Sequence, residues 1–442
     1  VYGLCYAAQA IRKGLFTMDI KTFAKSGHPK TLFSAFLYFD FSFMVWVMLG
    51  ALGNAIAETF SLGASQKGLM VGVPVLTGSL LRLVLGPLAD RIGGRNTALL
   101  GLTLTFVPLL LGGFAATSFQ MVLIIGLLLG VAGASFAVAL PMASRWYPPE
   151  QQGLVMGLAG AGNSGTVLAS LFAPRIAATL GDWRPVFLIA CAPIALAWLV
   201  IFFLAKDAPN KTKPKTLSQY FGMFKQADTW YFCILYTVTF GGFVGLGSFL
   251  PIFFKDTYKL DGVTAGTLAA FCVFAGSFAR PIGGYLADKL GGIRMLLVLY
   301  AAIAVLAIVI SSLPPLWLVT ALLFLLMTTL GTGNGAVFQV VPQRFAKEVP
   351  LITGIVGAAG GIGGFALPYL LGNLKQSMGS YGPALIVYTI AAVACLLLIV
   401  AVQKGWRARW MGAGGKVGAT DSPQPRNSQA KLVVLVEDCR SV

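Results

Sequence analysis

The sequence predicts an all-α polytopic membrane protein, with 12 transmembrane helices in two six-helix halves around a central cavity. Three observations carry that expectation. Of 442 residues, 57% are hydrophobic and 11% charged, against about a quarter charged in soluble domains. Runs such as FMVWVMLGALGNAIA (43–57) and MLLVLYAAIAVLAIVI (295–310) are apolar enough to sit in lipid, where backbone polar groups force a helix. Basic residues are divided unevenly between alternate loops, and one stretch of the chain recurs 198 residues later.

Taken in order, the first span, 33–57, follows an N-terminal segment (1–32) holding Lys21, Lys25 and Lys30, and it contains an acid, Asp40. Span 67–89 contains Arg82. Spans 97–116, 119–143, the glycine-rich 152–175 and 184–206 complete an N-terminal half, 33–206. The polar, basic stretch DAPNKTKPKTLSQYFGMFKQAD (207–228) divides it from a second half, 229–404. That half holds spans 229–254, 263–287 with Arg280, 293–313, 316–342, 350–373 and 382–404. The tail, 405–442, contains Gly, Pro and Ser and is expected to be disordered. Glycines inside apolar runs would weaken helices in water, but in lipid they let helices approach closely.

With both termini cytoplasmic in a bacterial inner (plasma) membrane, 24 basic residues fall inside and 6 outside. That asymmetry orients the chain. It also assigns the net charge of +17 to cytoplasmic loops rather than to nucleic acid. The N-terminal VYGLCYAAQAIRKGLFT does not resemble a cleavable signal, because its short apolar stretch precedes the basic residues; Met18 is a candidate start. The six cysteines are scattered, four of them as small hydrophobes in apolar segments, and the one histidine, His28, precedes the first span. No metal, cofactor or histidine proton relay is expected. With no soluble assembly domain, a monomer is expected.

Two basic residues, Arg82 and Arg280, remain within the membrane, at about 2.5–3.5 kcal/mol each on insertion scales. They are related. GSLLRLVLGPLADRIGG (78–94) and GSFARPIGGYLADKLGG (276–292) share Gly, Ser, Arg, Gly, Leu, Ala, Asp, Gly and Gly at the same spacing. GLVMGLAGA (153–161) and PLITGIVGA (350–358) repeat more weakly at 197. Duplicated halves place such a pair on opposite sides of a midplane cavity.

GPLADRIGGR (86–95) resembles the signature between spans 2 and 3 of the major facilitator superfamily. The resemblance implies a gating loop of Asp90 and Arg91, with Asp288 and Lys289 as their repeats. GLAGAGNSGTVLASLFAP (157–174) and GIVGAAGGIGGFALP (354–368) resemble the two glycine-rich signatures of the nitrate/nitrite porter family (NarK/NasA type). FDFSFMVWVMLGALG (39–53), ASFAVALPMASRWYP (134–148), LYTVTFGGFVG (235–245) and GNGAVFQVVPQRF (333–345) resemble other spans of that family. The similarity extends from Phe33 to about Val402. It implies a transporter of nitrate and nitrite, not an enzyme, in which Arg82 and Arg280 contact the anion. Asn163 would add a polar contact, and Phe136, Tyr236 and Phe240 would wall the pocket. Asn334 and Gln339 are weaker candidates that could instead bond neighbouring helices. Gly157, Gly160, Gly162, Gly165, Gly354, Gly357, Gly360, Gly361, Gly363 and Gly364 read as scaffold for helices that slide.

The residues argue alongside the resemblance. Every acid except Asp40 falls in loops, tails or helix ends, so buried salt bridges to the two arginines are not expected. Two guanidiniums facing one cavity await an anion, and their planar donors match the planar oxygens of nitrate where a lysine would not. Uptake of an anion against the membrane potential costs about 2.3 kcal/mol per charge per 100 mV. It therefore calls for two or more protons per nitrate, or exchange for internal nitrite. A symporter needs a protonatable group, for which Asp40 is the candidate and Glu58 a poor one at the outer edge. A facilitator for a larger organic anion is the alternative within the class. A membrane nutrient sensor or enzyme subunit is the alternative outside it, and no signalling domain, redox motif or nucleophile–base pair supports that.

Overall fold

The structure, a computed structural model, describes residues 26–209, 222–345 and 348–409. The expectations for most of the N-terminal segment, for the middle of the dividing loop and for the tail beyond 409 lie outside the described residues. All regular structure among the described residues is helical.

Helix α1 runs in three pieces, Pro29–Trp46, Met48–Ala51 and Gly53–Thr59. It is followed by α2 (Ala64–Ile92), α3 (Gly94–Phe114), α4 (Phe119–Ser144) and α5. Helix α5 comprises Pro149–Gly160, a 3-10 turn Ala161–Ser164, and Gly165–Leu180. Then come α6 (Arg184–Leu204), α7 (Ala227–Tyr258), α8 (Gly262–Leu290), α9 (Gly292–Ser311), α10 (Leu316–Arg344), α11 (Val349–Met378) and α12 (Gly382–Arg409). Eleven candidate spans are long and apolar enough to cross a membrane; α1, interrupted at Val47 and Leu52, is the twelfth element.

Local chemistry sets the helix ends. Pro29 opens α1 at a position where its missing N–H is no loss, and His28 Nδ1 accepts from the Thr31 N–H at 3.1 Å. Burial, then Lys206 and Lys30, hold that imidazole below its usual range, which keeps it a neutral acceptor. The helix accordingly starts four residues before the expected 33. Asp261 caps α8, accepting from the N–H groups of Val263 and Thr264 at 2.9 Å each. Gly93 (φ 90°) and Gly291 (φ 92°), equivalent in the repeat, make the α2–α3 and α8–α9 turns in a conformation closed to L side chains.

One expectation is corrected. Residues 405–409 do not belong to a disordered tail; they continue α12. The Trp406 ring is buried and stacks on Phe232 at 5.1 Å, and its indole N–H donates to Asp228 Oδ1 at 2.8 Å. Arg407 and Arg409 suit the negative end of the helix dipole. Hydropathy reports only the lipid-facing part of a helix, so it ends the span at 404.

The two halves meet where α2 lies along α11, α5 along α8, and α1 against α7. At the α1–α2 end they are joined by charge. Lys67 Nζ reaches both oxygens of Asp256, at 2.9 and 3.0 Å, and Lys255 pairs with Glu58. Tyr381 donates to Asp256 at 2.8 Å, Asn54 to the Pro251 carbonyl at 2.9 Å, and Arg175 to Thr267 at 2.7 Å. Among the described residues the ion pairs at the opposite end stay within a half: Arg145 with Asp90, and Arg344 with Asp228.

Candidate functional site

Arg82 is wholly buried in α2 and Arg280 is 4% exposed in α8. The equal spacing in the repeat brings both to Phe136 of α4. Their guanidinium carbons lie 5.0 and 5.3 Å from its ring centre, so they are no more than about 10 Å apart. Among the described residues neither arginine forms an ion pair with a carboxylate.

Arg82 is held by carbonyls and rings. Its Nε donates to the Gly133 carbonyl at 3.2 Å and its Nη1 to the Gly357 carbonyl of α11 at 2.7 Å. The first acceptor exists because α4 breaks its regular helix at Ala134–Ser135. There the Ala137 N–H bonds the Ala134 carbonyl at 3.0 Å, and the Gly133 carbonyl is left to the arginine. The guanidinium also lies over Trp46 at 5.3 Å and Phe240 at 5.1 Å. Its Nη2 is buried without a partner.

Arg280 has a different shell. Its Nη2 donates to the Tyr236 hydroxyl at 3.4 Å, and Phe338 lies 6.0 Å from its carbon. Its Nη1 is buried without a partner. Tyr236 stacks on Phe240 at 4.9 Å and meets Phe338 edge-on at 4.8 Å. Phe136 contacts Phe39, Phe240 and Phe338, so both charges lie against one aromatic cluster. An unpaired guanidinium N–H in a dry interior costs on the order of 1–3 kcal/mol or more, and each arginine keeps a whole Nη amino group without a partner. Together the pair leaves two buried guanidinium nitrogens without partners close to one aromatic ring.

Asn163 stands in the 3-10 turn of α5, buried, with neither amide atom partnered. Gly160, just before that turn, lies against Arg280: a Cβ there would sit 3.4 Å from its Nε. Asn334 in α10 is likewise buried with both amide atoms unpartnered, next to Gly333 where α10 meets Thr239 of α7. Gln339 of α10 lies against the start of α9, its Oε1 2.7 Å from where a Gly292 Cβ would stand, so it serves a helix contact.

On α11, a Cβ on Gly357 would meet Phe136 at 3.3 Å and one on Gly360 would meet the Tyr236 ring at 2.5 Å. One on Gly361 would lie 1.6 Å from Ser79 Oγ, across the α2–α11 interface. Gly363 faces the Thr237 carbonyl and Gly364 faces Val75. On α5, Gly157 faces Pro281, while Gly162 and Gly165 press on α1. Asp90 is bonded to Arg145, and Arg91 lines a cavity of about 190 Å³ beside it with Asp207 and Asn96. Lys289 Nζ lies 4.6 Å over the Tyr285 ring. The side chain of Asp288 lies outside the described residues. Asp40 is 5% exposed and accepts from Ser164 Oγ at 2.6 Å, and Glu58 sits at the charged end with Lys255.

Sequence reasoning missed Trp46, Phe338 and the two carbonyls. Phe338 is one helical turn from Asn334, a spacing that marks it as a neighbour of the site. A carbonyl leaves no side-chain signal, although the small residues of GVAGAS (130–135) mark where α4 breaks.

The family profile described as "Major Facilitator Superfamily" matches residues 32–368. A Mycobacterium tuberculosis protein named "Probable nitrate/nitrite transporter NarK2" is 36% identical over 81% of this chain and 90% of its own length. A Bacillus subtilis "Nitrite extrusion protein" is 31% identical over 81% and 90%. A Thermus thermophilus "Probable nitrate/nitrite antiporter NarK1" is 31% identical over 85% and 92%. The inward-facing, occupied structure of a bacterial homolog of the human lysosomal transporter Spinster shares the fold, with a TM-score of 0.59 at 20% identity over 85% of this chain and 95% of that one. With twelve helical elements, the duplicated loop and relatives of this coverage, the chain belongs to the major facilitator superfamily and, within it, to the nitrate/nitrite porter family of the NarK/NasA type.

Proposed function

We propose that the chain transports nitrate and nitrite across the bacterial plasma membrane by alternating access, as a monomer with both termini cytoplasmic. The observation that carries this reading is the pair of buried, unpaired guanidinium nitrogens, Arg82 Nη2 and Arg280 Nη1, both close to the Phe136 ring. A small planar anion can accept from both. The names of the relatives support the ligand. Asn163 supplies an amide, Tyr236 a hydroxyl, and Phe240 with Phe136 a dry wall that strengthens each bond to the charge. Asn334 is a further polar contact. The halves 33–206 and 229–404 rock on the bare backbone of α5 and α11, coupled to protons or to counter-exchange.

Counterflow into proteoliposomes tests the reading. Vesicles preloaded with nitrate or nitrite should transiently accumulate labelled external nitrate, and organic anions should not substitute. Absence of counterflow, or equal counterflow with a bulky carboxylate, would overturn it.

The charged end of the α1–α7 contact acts as a latch in this cycle. Lys67→Glu places like charges opposite Asp256 and should slow transport about three- to ten-fold, since partly exposed pairs contribute about 0.2–1 kcal/mol and repulsion adds to the loss. The swap Lys67→Glu with Asp256→Lys should recover most of the rate. A swap no faster than the single variant would remove the latch.

A further inference from the structure

Asp40 is an acid buried within helix α1, and the anion site does not use it. Its carboxylate accepts a hydrogen bond from Ser164. Ser164 ends the 3-10 turn Ala161–Ser164, which also carries Asn163. The contact between α1 and α5 leaves no slack: a Cβ on Gly165 would lie 1.8 Å from the Asp40 carbonyl oxygen and 2.7 Å from the Met44 nitrogen. At the other end of the same turn Gly160 touches Arg280. One short, tightly wound segment therefore has the carboxyl at one end, a guanidinium at the other, and an unpartnered amide between them.

We propose that Asp40 is the proton site that couples proton movement to anion binding, acting through Ser164 on the turn that carries Asn163. This rests on the nitrate reading above. The elements packed on this part of α1 are α2, α4, α5 and α6. Helix α4 has no ionisable side chain from Phe119 to Ser144, and α6 contributes only Cys191 beyond Arg184 at its start. Helix α5 has Glu150 and Arg175 at its ends, and α2 has Arg82 inside with Lys67, Asp90 and Arg91 at its ends. Helix α1 itself adds Tyr38, with Lys30 and Glu58 at its ends. No cation among these is bonded to Asp40 among the described residues.

The ionised carboxylate opposes an arriving anion and holds the Ser164 hydroxyl as its donor. A proton from water on one side adds to a carboxylate oxygen. The carboxyl O–H then donates to Ser164 Oγ, the serine hydrogen turns away, and the Asn163 turn is released towards the anion. On the other side the proton returns to water as the anion leaves. One carboxyl carries one proton per anion, so the step is electroneutral and follows the pH gradient alone. Uptake by this route needs one proton per nitrate, where uptake driven by the membrane potential needs at least two.

The test compares accumulation and counterflow in proteoliposomes. The wild type should accumulate labelled nitrate when the outside is acid, with no change when a valinomycin–potassium potential is imposed. Asp40→Asn should lose pH-driven accumulation at least tenfold more than it loses counterflow, and Asp40→Glu should restore it. Ser164→Ala should flatten the pH dependence of nitrate affinity several-fold, a readout that a merely structural contact would not move; an unchanged dependence overturns the relay. Wild-type counterflow without pH-driven accumulation overturns this proposal and leaves the nitrate reading standing, whereas absent wild-type counterflow removes that reading itself. Equal loss of both activities in Asp40→Asn, or retained accumulation, also overturns it. If Asp40→Asn does not reach the membrane, Asp40→Glu and Ser164→Ala decide.

Discussion

Replacing Arg280 by lysine is expected to leave the protein in the membrane at normal levels and to weaken nitrate binding roughly thirty-fold, about 2 kcal/mol. Lysine keeps the charge and meets a similar insertion cost, but it loses the planar fork that can serve Tyr236 and an anion oxygen at once. Arg82→Lys should be the more damaging. Besides the fork, it loses at least one of the bonds to the Gly133 and Gly357 carbonyls, leaving a buried acceptor unsatisfied. Nitrate binding to purified protein, alongside thermal stability, separates the two effects. Near wild-type affinity in either well-expressed variant would sink the proposed role of that arginine.

Gly361→Ala should abolish most transport. Its added methyl would lie 1.6 Å from Ser79 Oγ and 2.7 Å from Ser79 Cβ, so rotating the serine does not clear it and α2 must part from α11. Overpacking of this kind costs about 1–3 kcal/mol. It falls one helical turn from both Arg82 and Gly357, whose bond spans the same interface. Ser79→Gly in the same chain should reopen the space and return a substantial part of the activity. An active single variant, or a double variant no better than the single, would show that the close approach is dispensable.

The repeat makes the arginine pair legible, because packing in lipid gives no reason for a charge to recur at an equal spacing inside two apolar runs. The shortage of acids to neutralise it can also be counted from the chain. The rest of the shell has no such signal. Trp46 and Phe338 reach the guanidiniums through tertiary packing, and the Gly133 carbonyl is available only because α4 breaks its winding beside it. Helix ends escape the sequence for a related reason. His28, Asp261 and Trp406 fix them through hydrogen bonds and burial that a hydropathy window does not register.

The latch has an electrical consequence. Lys255 and Asp256 are neighbours on α7, and their partners, Glu58 and Lys67, flank the α1–α2 turn. Each side of the contact is a neutral couple. Parting them displaces a cation and an anion together, so the latch contributes almost no gating charge. Its opening is electrically silent however far the helices travel. Any transient current recorded from oriented membranes therefore arises from charges elsewhere in the protein, with the latch itself invisible.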